Sequence, residues 1–318
     1  MRIETSVTRL LGIDLPIVQA GMSWASSDSA LPLAVSRAGG LGVIAAGPMR
    51  LADLEHAIDE VRSTTDRPYA VNLPLYRKGG ADPVLDLIER KRVPVLIASQ
   101  GGPQRYLARL HAIGTVCLHV VASEEHARKA ADAGVDGLVV VGGEAGGHPP
   151  ASLVSTLVIV RAVASAVDTP IIASGGFADG AGLAAALALG AGAAQFGTRF
   201  LASVEANVHP AYKEAVLQAR VTDTRTVGRE LGMIRALTNE FTTRMAKLED
   251  DGATHADREA EFTRATLKAA ALHGDVEGGK VEAGQTAGLI GATLPAAEIV
   301  GQLAREYVDT LGRLPHPS

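Results

Sequence analysis

Aromatic side chains are scarce: Phe, Tyr and Trp together make up 3% of the 318 residues. With so few rings the core has to be built from Val, Leu, Ile and Ala, as in tightly layered α/β folds. An excess of basic charge is missing too. The 30 Lys and Arg face 35 Asp and Glu, giving a formal charge of −5 and a pI near 6.0. No basic cluster with interleaved aromatics occurs, and both features argue against a nucleic-acid partner. Cys117 stands alone inside an apolar run. An internal disulfide is therefore excluded, and a reducing compartment fits that usage.

The opening residues, MRIETSVTRL, carry charges throughout and lack an apolar signal-peptide core. One stretch, Gly180 to Thr198, runs long without charge, yet it holds five glycines and ends in a strand-like segment. It reads as a buried helix–loop–strand unit and not as a membrane span. A soluble, cytoplasmic protein with no membrane partner is the expectation.

Glycine is abundant, at 35 residues, in a chain that is 47% apolar and 20% charged. The length suffices for one large barrel, or one domain with a smaller satellite. Short apolar runs alternate with amphipathic segments at a regular beat. Strands are predicted at Pro16–Ala20, Leu41–Ala46, Tyr69–Leu73, Val93–Ser99, Thr115–Ala122, Gly137–Val141, Pro170–Ser174 and Ala193–Gly197. Continuous apolar runs of this kind suit parallel strands buried on both faces. Helices are predicted between them, among others at Leu51–Ser63, Glu124–Ala133, Leu153–Val167 and Gly180–Leu189, with Ser123 and Asp179 as caps. Eight strands with seven intervening helices read as an α/β (β/α)₈ TIM barrel, with a doubly wound sheet as runner-up.

The beat stops after Arg199. From His209 to about Leu272 the pattern reads as helical only, dense in Arg, Lys and Glu. A small all-helical domain after the eighth strand is therefore expected, followed by a Gly-rich loop at 273–290 and a last helix over Ala296–Leu311 that packs back on the barrel. The terminal PHPS is expected to fray. The division is a barrel over 1–205, a helical unit over 206–282, and C-terminal helices over 283–318.

In a barrel, function lies at the carboxyl ends of the strands, and here those ends carry glycine. QAGM (19–22), AAG (45–47), SQGGP (99–103), VGGEAGGHPP (141–150), ASGGFADG (173–180) and QFGTRF (195–200) all follow predicted strands. Glycine allows a backbone to approach a planar or anionic ligand closely, although tight βα turns also use it routinely. ASGGFADG opens a helix, and FGTR adds N–H groups and the Thr198 hydroxyl; loops after strands seven and eight form the recurring phosphate site of barrel enzymes. The first βα turn lacks the GxGxxG of dinucleotide folds, which disfavours the doubly wound alternative. His148, just past the sixth strand and ahead of two prolines, is the candidate proton donor or acceptor. Glu144 is placed either to orient His148 or to bond locally within its loop. The other histidines are expected mostly on helical surfaces, and none shows a metal-ligand spacing.

These residues resemble the FMN-dependent nitronate monooxygenase (2-nitropropane dioxygenase) superfamily, and within it the flavin-dependent enoyl-acyl-carrier-protein reductase II branch. The features that carry the resemblance are PIVQAGMSW from residue 16, SRAGGLGVIAAG from 36, TDRPYAVNLPL from 65, EAGGH at 144–148 and PIIASGGFADG at 170–180. GTRF (197–200), HPAYKEAV (209–216) and HGDVEGGKVEAGQTAGL (273–289) complete a match along nearly the whole chain. The resemblance implies an oxidoreductase with noncovalent FMN at the barrel rim and a helical lid or substrate domain over it. By position, Gly21, Met22 and Asn72 are implied to contact the isoalloxazine ring or polyol tail. Gly175, Gly176, Gln195, Gly197 and Thr198 are implied to hold the ribityl phosphate. Glu144, Gly146 and Gly147 belong to the same flavin-facing set, and His148 matches the catalytic histidine.

Two reactions fit that likeness. One is NAD(P)H-dependent reduction of an activated C=C bond in an enoyl thioester, with NADH or NADPH as electron donor. The other is a nitronate monooxygenase that oxidises alkyl nitronates with O₂. The C-terminal block favours the reductase. The polar loop NLPLYRKGGADP after the third strand and the HPP at the histidine depart from that branch on the substrate side, which leaves room for a specialised thioester or ketone. An acyl carrier protein, itself acidic, would need a basic patch such as Arg235, Arg244 and Lys247. A homodimer is a further expectation.

Overall fold

The computed structural model describes residues 1–76 and 80–315. Residues 77–79 of the polar loop after the third strand, and the last three residues of the terminal PHPS, lie outside the described residues. Eight parallel strands form one nearly closed barrel: β1 (Ile17–Gln19), β2 (Gly42–Ala45), β3 (Tyr69–Pro74), β4 (Val95–Ser99), β5 (Val116–Val121), β6 (Gly137–Val141), β7 (Ile171–Ser174) and β8 (Ala193–Phe196). Each coincides with a predicted strand. They pair in sequence order, and β8 returns to β1.

At the seam between β1 and β2 the only backbone pairing is one bridge, Val18 to Leu41. There the buried Gln19 side chain stands in for the ladder, since its carbonyl accepts from the Val43 N–H (2.9 Å) and its amide donates to the Val43 carbonyl (3.2 Å). Val18, Leu41, Val43, Val95, Ile97, Leu118, Val139 and Ile172 fill the interior, and Val7 and Leu11 of the short helix Ser6–Leu11 join the same cluster. Branched aliphatics of this volume pack a barrel solid, so it has no pore. A second, larger core lies between the strands and the surrounding helices. Among the described residues no helix is long and apolar enough to cross a membrane.

Helices follow β1 through β7, and the helix Ala296–Arg313 fills the remaining place in the ring, against the helices Gly180–Ala188 and Ala30–Arg37. The expectation that the segment after β8 is all helical is corrected. It contains a two-stranded antiparallel hairpin, β9 (Thr224–Val227) with β10 (Ile234–Leu237). The strands are four residues each, and β9 reads TRTV with only Val227 buried. A window of helical length averages such a strand into its polar surroundings. The missed signals were Gly228 and Gly232, both at positive φ in the turn. The hairpin has its own small core, in which Val227, Ile234 and Ala236 pack with Phe241, Met245 and Ala265.

The last helix is seated through Gly180, whose N–H donates to the Glu306 carboxylate at 2.9 Å. A β-carbon there would lie 2.2 Å from the Tyr307 nitrogen. Gly180→Ala is therefore expected to cost about 1–3 kcal/mol through overpacking and to lower the thermal midpoint by several degrees in a calorimetric scan. An unchanged midpoint would show that this helix yields freely.

Candidate functional site

A cleft of about 850 Å³ opens at the carboxyl ends of the barrel strands. Gly21, Met22, Asn72, Glu144, Gly146, Gly147, His148, Gly175, Gly176, Gln195, Gly197 and Thr198 all line it, so the fold brings the expected catalytic and flavin-facing residues to one cleft. On the β1 side Gly21 is pressed against Asn72: a β-carbon at Gly21 would fall 2.5 Å from the Asn72 β-carbon. Asn72 is fixed in turn by its amide, which donates to the Ile97 carbonyl at 3.2 Å.

Across the cleft, Gly175 and Gly176 both have positive φ, 97° and 80°. Two consecutive left-handed residues turn the chain sharply where β7 ends, and any other residue type would be strained there. Gln195 donates to the Ser174 hydroxyl at 2.8 Å, which ties the ends of β7 and β8 together. The Thr198 hydroxyl oxygen accepts from the Gly284 N–H at 2.9 Å, leaving its own proton to donate elsewhere.

The loop after β6 is held from several sides. The Glu144 carboxylate accepts from the Thr156 N–H (2.9 Å) and the Thr156 hydroxyl (2.7 Å), and so caps the helix Thr156–Ala164, where Ser155 makes no side-chain cap of its own. Of its two readings, Glu144 therefore takes local bonding, and no hydrogen bond joins it to His148. Gly147 exchanges backbone bonds with Arg235 of β10 at 3.1 and 2.7 Å. A β-carbon on Gly146 would lie 2.5 Å from Ala283 and Gly284, so the segment Val281–Gln285 crosses the loop directly. Leu237 N–H donates to the Val281 carbonyl, Tyr212 hydroxyl to the Glu282 carbonyl, and Gln285 N–H to the Glu144 carbonyl.

His148, at the end of this loop, is exposed into the cleft and makes no hydrogen bond to protein. Desolvation by the cleft wall, reinforced by the neighbouring Lys280 ammonium, holds its imidazole below the usual histidine range. Glu282 also lines the cleft, and burial pushes its carboxyl up to about 7 against the opposing pull of Lys280. The Lys280 ammonium stands 3.4 Å over the Phe262 ring.

Sequence reasoning missed titratable residues here, among them Glu282 and His119. Glu282 carried no signal beyond its place in the Gly-rich block. His119 departs from the expectation of surface histidines: it sits in β5, buried, lining the cleft, with Nδ1 3.0 Å from the Tyr106 hydroxyl. Desolvation lowers its pKa, and a hydrogen bond to the Gly101 backbone opposes that. Its place inside the apolar run VCLHVV was the available clue. The basic residues expected to form a surface patch are otherwise engaged. Arg235 is 8% exposed and donates to the Gly143 carbonyl, Arg244 pairs with Glu240 and Glu261, and Lys247 pairs with Asp251. At the opposite end of the barrel the fold brings His111, Cys117 and Asp136 within ligand distance of one another, although no sequence spacing announced it. The Asp136 carboxylate there already accepts from the Cys117 N–H and meets His111.

The family profile described as nitronate monooxygenase matches residues 4–89 and 81–306. A nitronate monooxygenase of Paraburkholderia phytofirmans is 33% identical over 96% of this chain and 95% of its own length. The (3aS,4S,5R,7aS)-5-hydroxy-7a-methyl-1-oxo-octahydro-1H-indene-4-carboxyl-CoA dehydrogenase of Mycobacterium tuberculosis is 40% identical over 73% of this chain, and the match spans 65% of that relative's length. Among solved structures, FabK from Thermotoga maritima superimposes with a TM-score of 0.91 at 40% identity, covering 98% of each chain.

Glu144→Ala removes the acceptor for the Thr156 N–H and hydroxyl. It is expected to cost about 1–3 kcal/mol in denaturant unfolding and to raise amide exchange at Thr156. Protection of that amide at the wild-type level would show that the loop is anchored without the carboxylate.

Proposed function

The chain belongs to the nitronate monooxygenase family and is an oxidoreductase, and from that premise we propose that it uses FMN to reduce the activated C=C bond of an enoyl thioester at the expense of NADH or NADPH. The observation that carries this reading is that His148 and a glycine cradle line one cleft. The cavity volume lies within the range of cofactor and ligand sites. Gly175 and Gly176 present backbone with no β-carbon in the way, and their N–H groups donate to no protein carbonyl. These features fit a phosphate and a flat ring system.

In this reading Gly175, Gly176, Gln195, Gly197 and Thr198 hold the ribityl phosphate, and Gly21, Met22 and Asn72 meet the ring or polyol tail. Bound FMN would supply two-electron, hydride-transfer chemistry between nicotinamide and the C=C bond of the substrate. Glu144, Gly146 and Gly147 keep the backbone after β6 close to that site. His148 orients the acyl carbonyl and exchanges a proton near it. Residues 206–282 serve as lid and substrate domain, excluding water, while 283–318 return the chain to the barrel of 1–205. The acyl group is carried on coenzyme A, as the name of the Mycobacterium relative indicates for that protein; a carrier protein is the less favoured source, because the expected basic patch is already paired or buried. A homodimer in the cytoplasm completes the proposal. The second reading, oxidation of alkyl nitronates with O₂, draws on the nearly full-length likeness to the Paraburkholderia enzyme.

Purified protein is expected to be yellow, with one FMN per chain released by acid, and Gly176→Val is expected to lose the flavin on dialysis. Anaerobic mixing with NADH or NADPH is expected to bleach the flavin, and an enoyl-CoA to restore its colour. Bleaching by propionate 3-nitronate and by neither nicotinamide would establish the second reading instead.

His148→Ala is expected to retain FMN and to lose turnover by ~10²–10⁴-fold. A depressed pKa leaves the imidazole neutral at pH 7. Activity that depends on the neutral ring is therefore lost on the acid side, as pH falls below the ordinary histidine value of 6.5 and through the folded one. An alanine variant with wild-type turnover would assign His148 to structure.

A further inference from the structure

Reduction of an enoyl thioester needs more than hydride. Once hydride has reached the β-carbon, the substrate carries negative charge shared between the α-carbon and the thioester carbonyl, and the product forms only when a proton arrives at the α-carbon. Burial and Lys280 move His148 toward its neutral form, which makes it a poor proton donor at neutral pH and suits it to orienting the carbonyl. A second group in the cleft is needed to deliver the proton.

We propose that Glu282 is the catalytic acid of this cleft, placing its carboxyl group against the acyl portion of the substrate and giving the proton that the α-carbon gains. The inference rests on the enoyl-thioester reading above. Glu282 lines the same cleft as His148, and its Oε2 lies 3.2 Å from where a β-carbon of Gly147 would be. The absence of a side chain at Gly147 leaves the carboxyl room beside the loop that carries His148. No hydrogen bond or ion pair holds this carboxyl group, although its own backbone carbonyl is tied to the Tyr212 hydroxyl at 2.8 Å. The one neighbouring cation, Lys280, has its ammonium over the Phe262 ring, and no ion pair within 4.0 Å joins it to Glu282. A half-buried carboxyl group without a partner is costly, and such groups cluster at sites of proton transfer.

The surroundings agree with that role. The groups near Glu282 are Lys280 on its own segment, Gly147 from the loop after β6, and Tyr212 from the helix Pro210–Gln218, while His148 lines the same cleft. Arg235 on β10 is engaged with Gly143 and Thr224. Burial raises the Glu282 carboxyl to about 7, while His148 is lowered. Two titratable groups driven in opposite directions divide the work between an acid and a base. In the transfer, the carboxyl O–H bond breaks and a C–H bond forms at the α-carbon. The O–H electron pair stays on Glu282, and water restores the proton from solvent.

The test uses FMN-loaded enzyme with NADH and an enoyl-CoA, comparing wild type with Glu282→Gln and Glu282→Asp. Infrared titration of protein labelled with ¹³C-glutamate is expected to show a carboxyl converting to carboxylate near pH 7, absent from Glu282→Gln. Because a raised folded pKa disfavours the ionised protein, stability falls as pH rises from the ordinary glutamate range to about 7. The glutamine variant is accordingly expected to be more heat-stable than wild type at pH 8, with the difference shrinking at pH 5. Its turnover is expected to fall by ~10²-fold or more, with bleaching of the flavin by NADH little changed. The decline of wild-type rate above pH 7 disappears in this variant, and aspartate restores part of the activity. A glutamine variant with wild-type turnover, or a wild-type titration with no carboxyl converting near pH 7, overturns the assignment of Glu282 alone. Wild-type enzyme that is bleached by NADH yet reduces no enoyl-CoA overturns the thioester reading, and this acid with it.

Discussion

Glu144 accepts both the N–H and the hydroxyl of Thr156, and the rest of the site is arranged around the loop that this carboxylate anchors. A glycine-rich stretch such as VGGEAGG has a large conformational entropy to lose. Left to itself it would sample many states. Here a helix N-terminus holds it on one side, where a carboxylate is favoured by the exposed N–H groups. The paired backbone of Arg235 holds it on another, and the crossing of Ala283–Gly284 presses on the third. The position of His148 follows from these contacts, because the ring itself makes no hydrogen bond to protein.

The clamp also accounts for why a segment remote in sequence is needed. β10 lies between the loop after β6 and the Val281–Gln285 segment and bonds to both, through Gly147 on one side and Val281 on the other. The hairpin is thus part of the scaffold of the cleft. Arg235, which composition suggested as a surface charge, is buried with its guanidinium on the Gly143 carbonyl and the Thr224 hydroxyl. Desolvating a guanidinium is expensive unless backbone acceptors compensate. Its burial makes sense as a device for fixing the loop.

Electrostatically the cleft is arranged by desolvation more than by pairing. Most surface charges of the described residues sit in exposed pairs such as Lys129 with Glu125, which contribute little to stability. Within the cleft His148 and Glu282 lack such partners, and both are moved toward their uncharged forms. His119, beneath the Gly101 turn, is treated the same way and braced by Tyr106. Around these side chains such a wall favours proton exchange and hydrogen bonding.

The sequence by itself determined the barrel. Eight apolar runs, regularly spaced and flanked by amphipathic helices, leave little choice, because a strand buried on both faces must be apolar throughout and its partner helix must show one polar side. It also marked the rim on which the cleft opens, since glycines cluster at the ends of β1, β4, β6, β7 and β8 and His148 stands among them. The hairpin was illegible because its strands are four residues each and β9, TRTV, is mostly polar, which leaves no periodicity to detect. The choice between the two roles of Glu144, the burial of Arg235, and the placing of Glu282 and His148 in one cleft were decided only by tertiary structure. Residues 148 and 282 are far apart along the chain, and protonation depends on the low-polarity enclosure that forms when the barrel loop, the hairpin and the Gly-rich segment pack together.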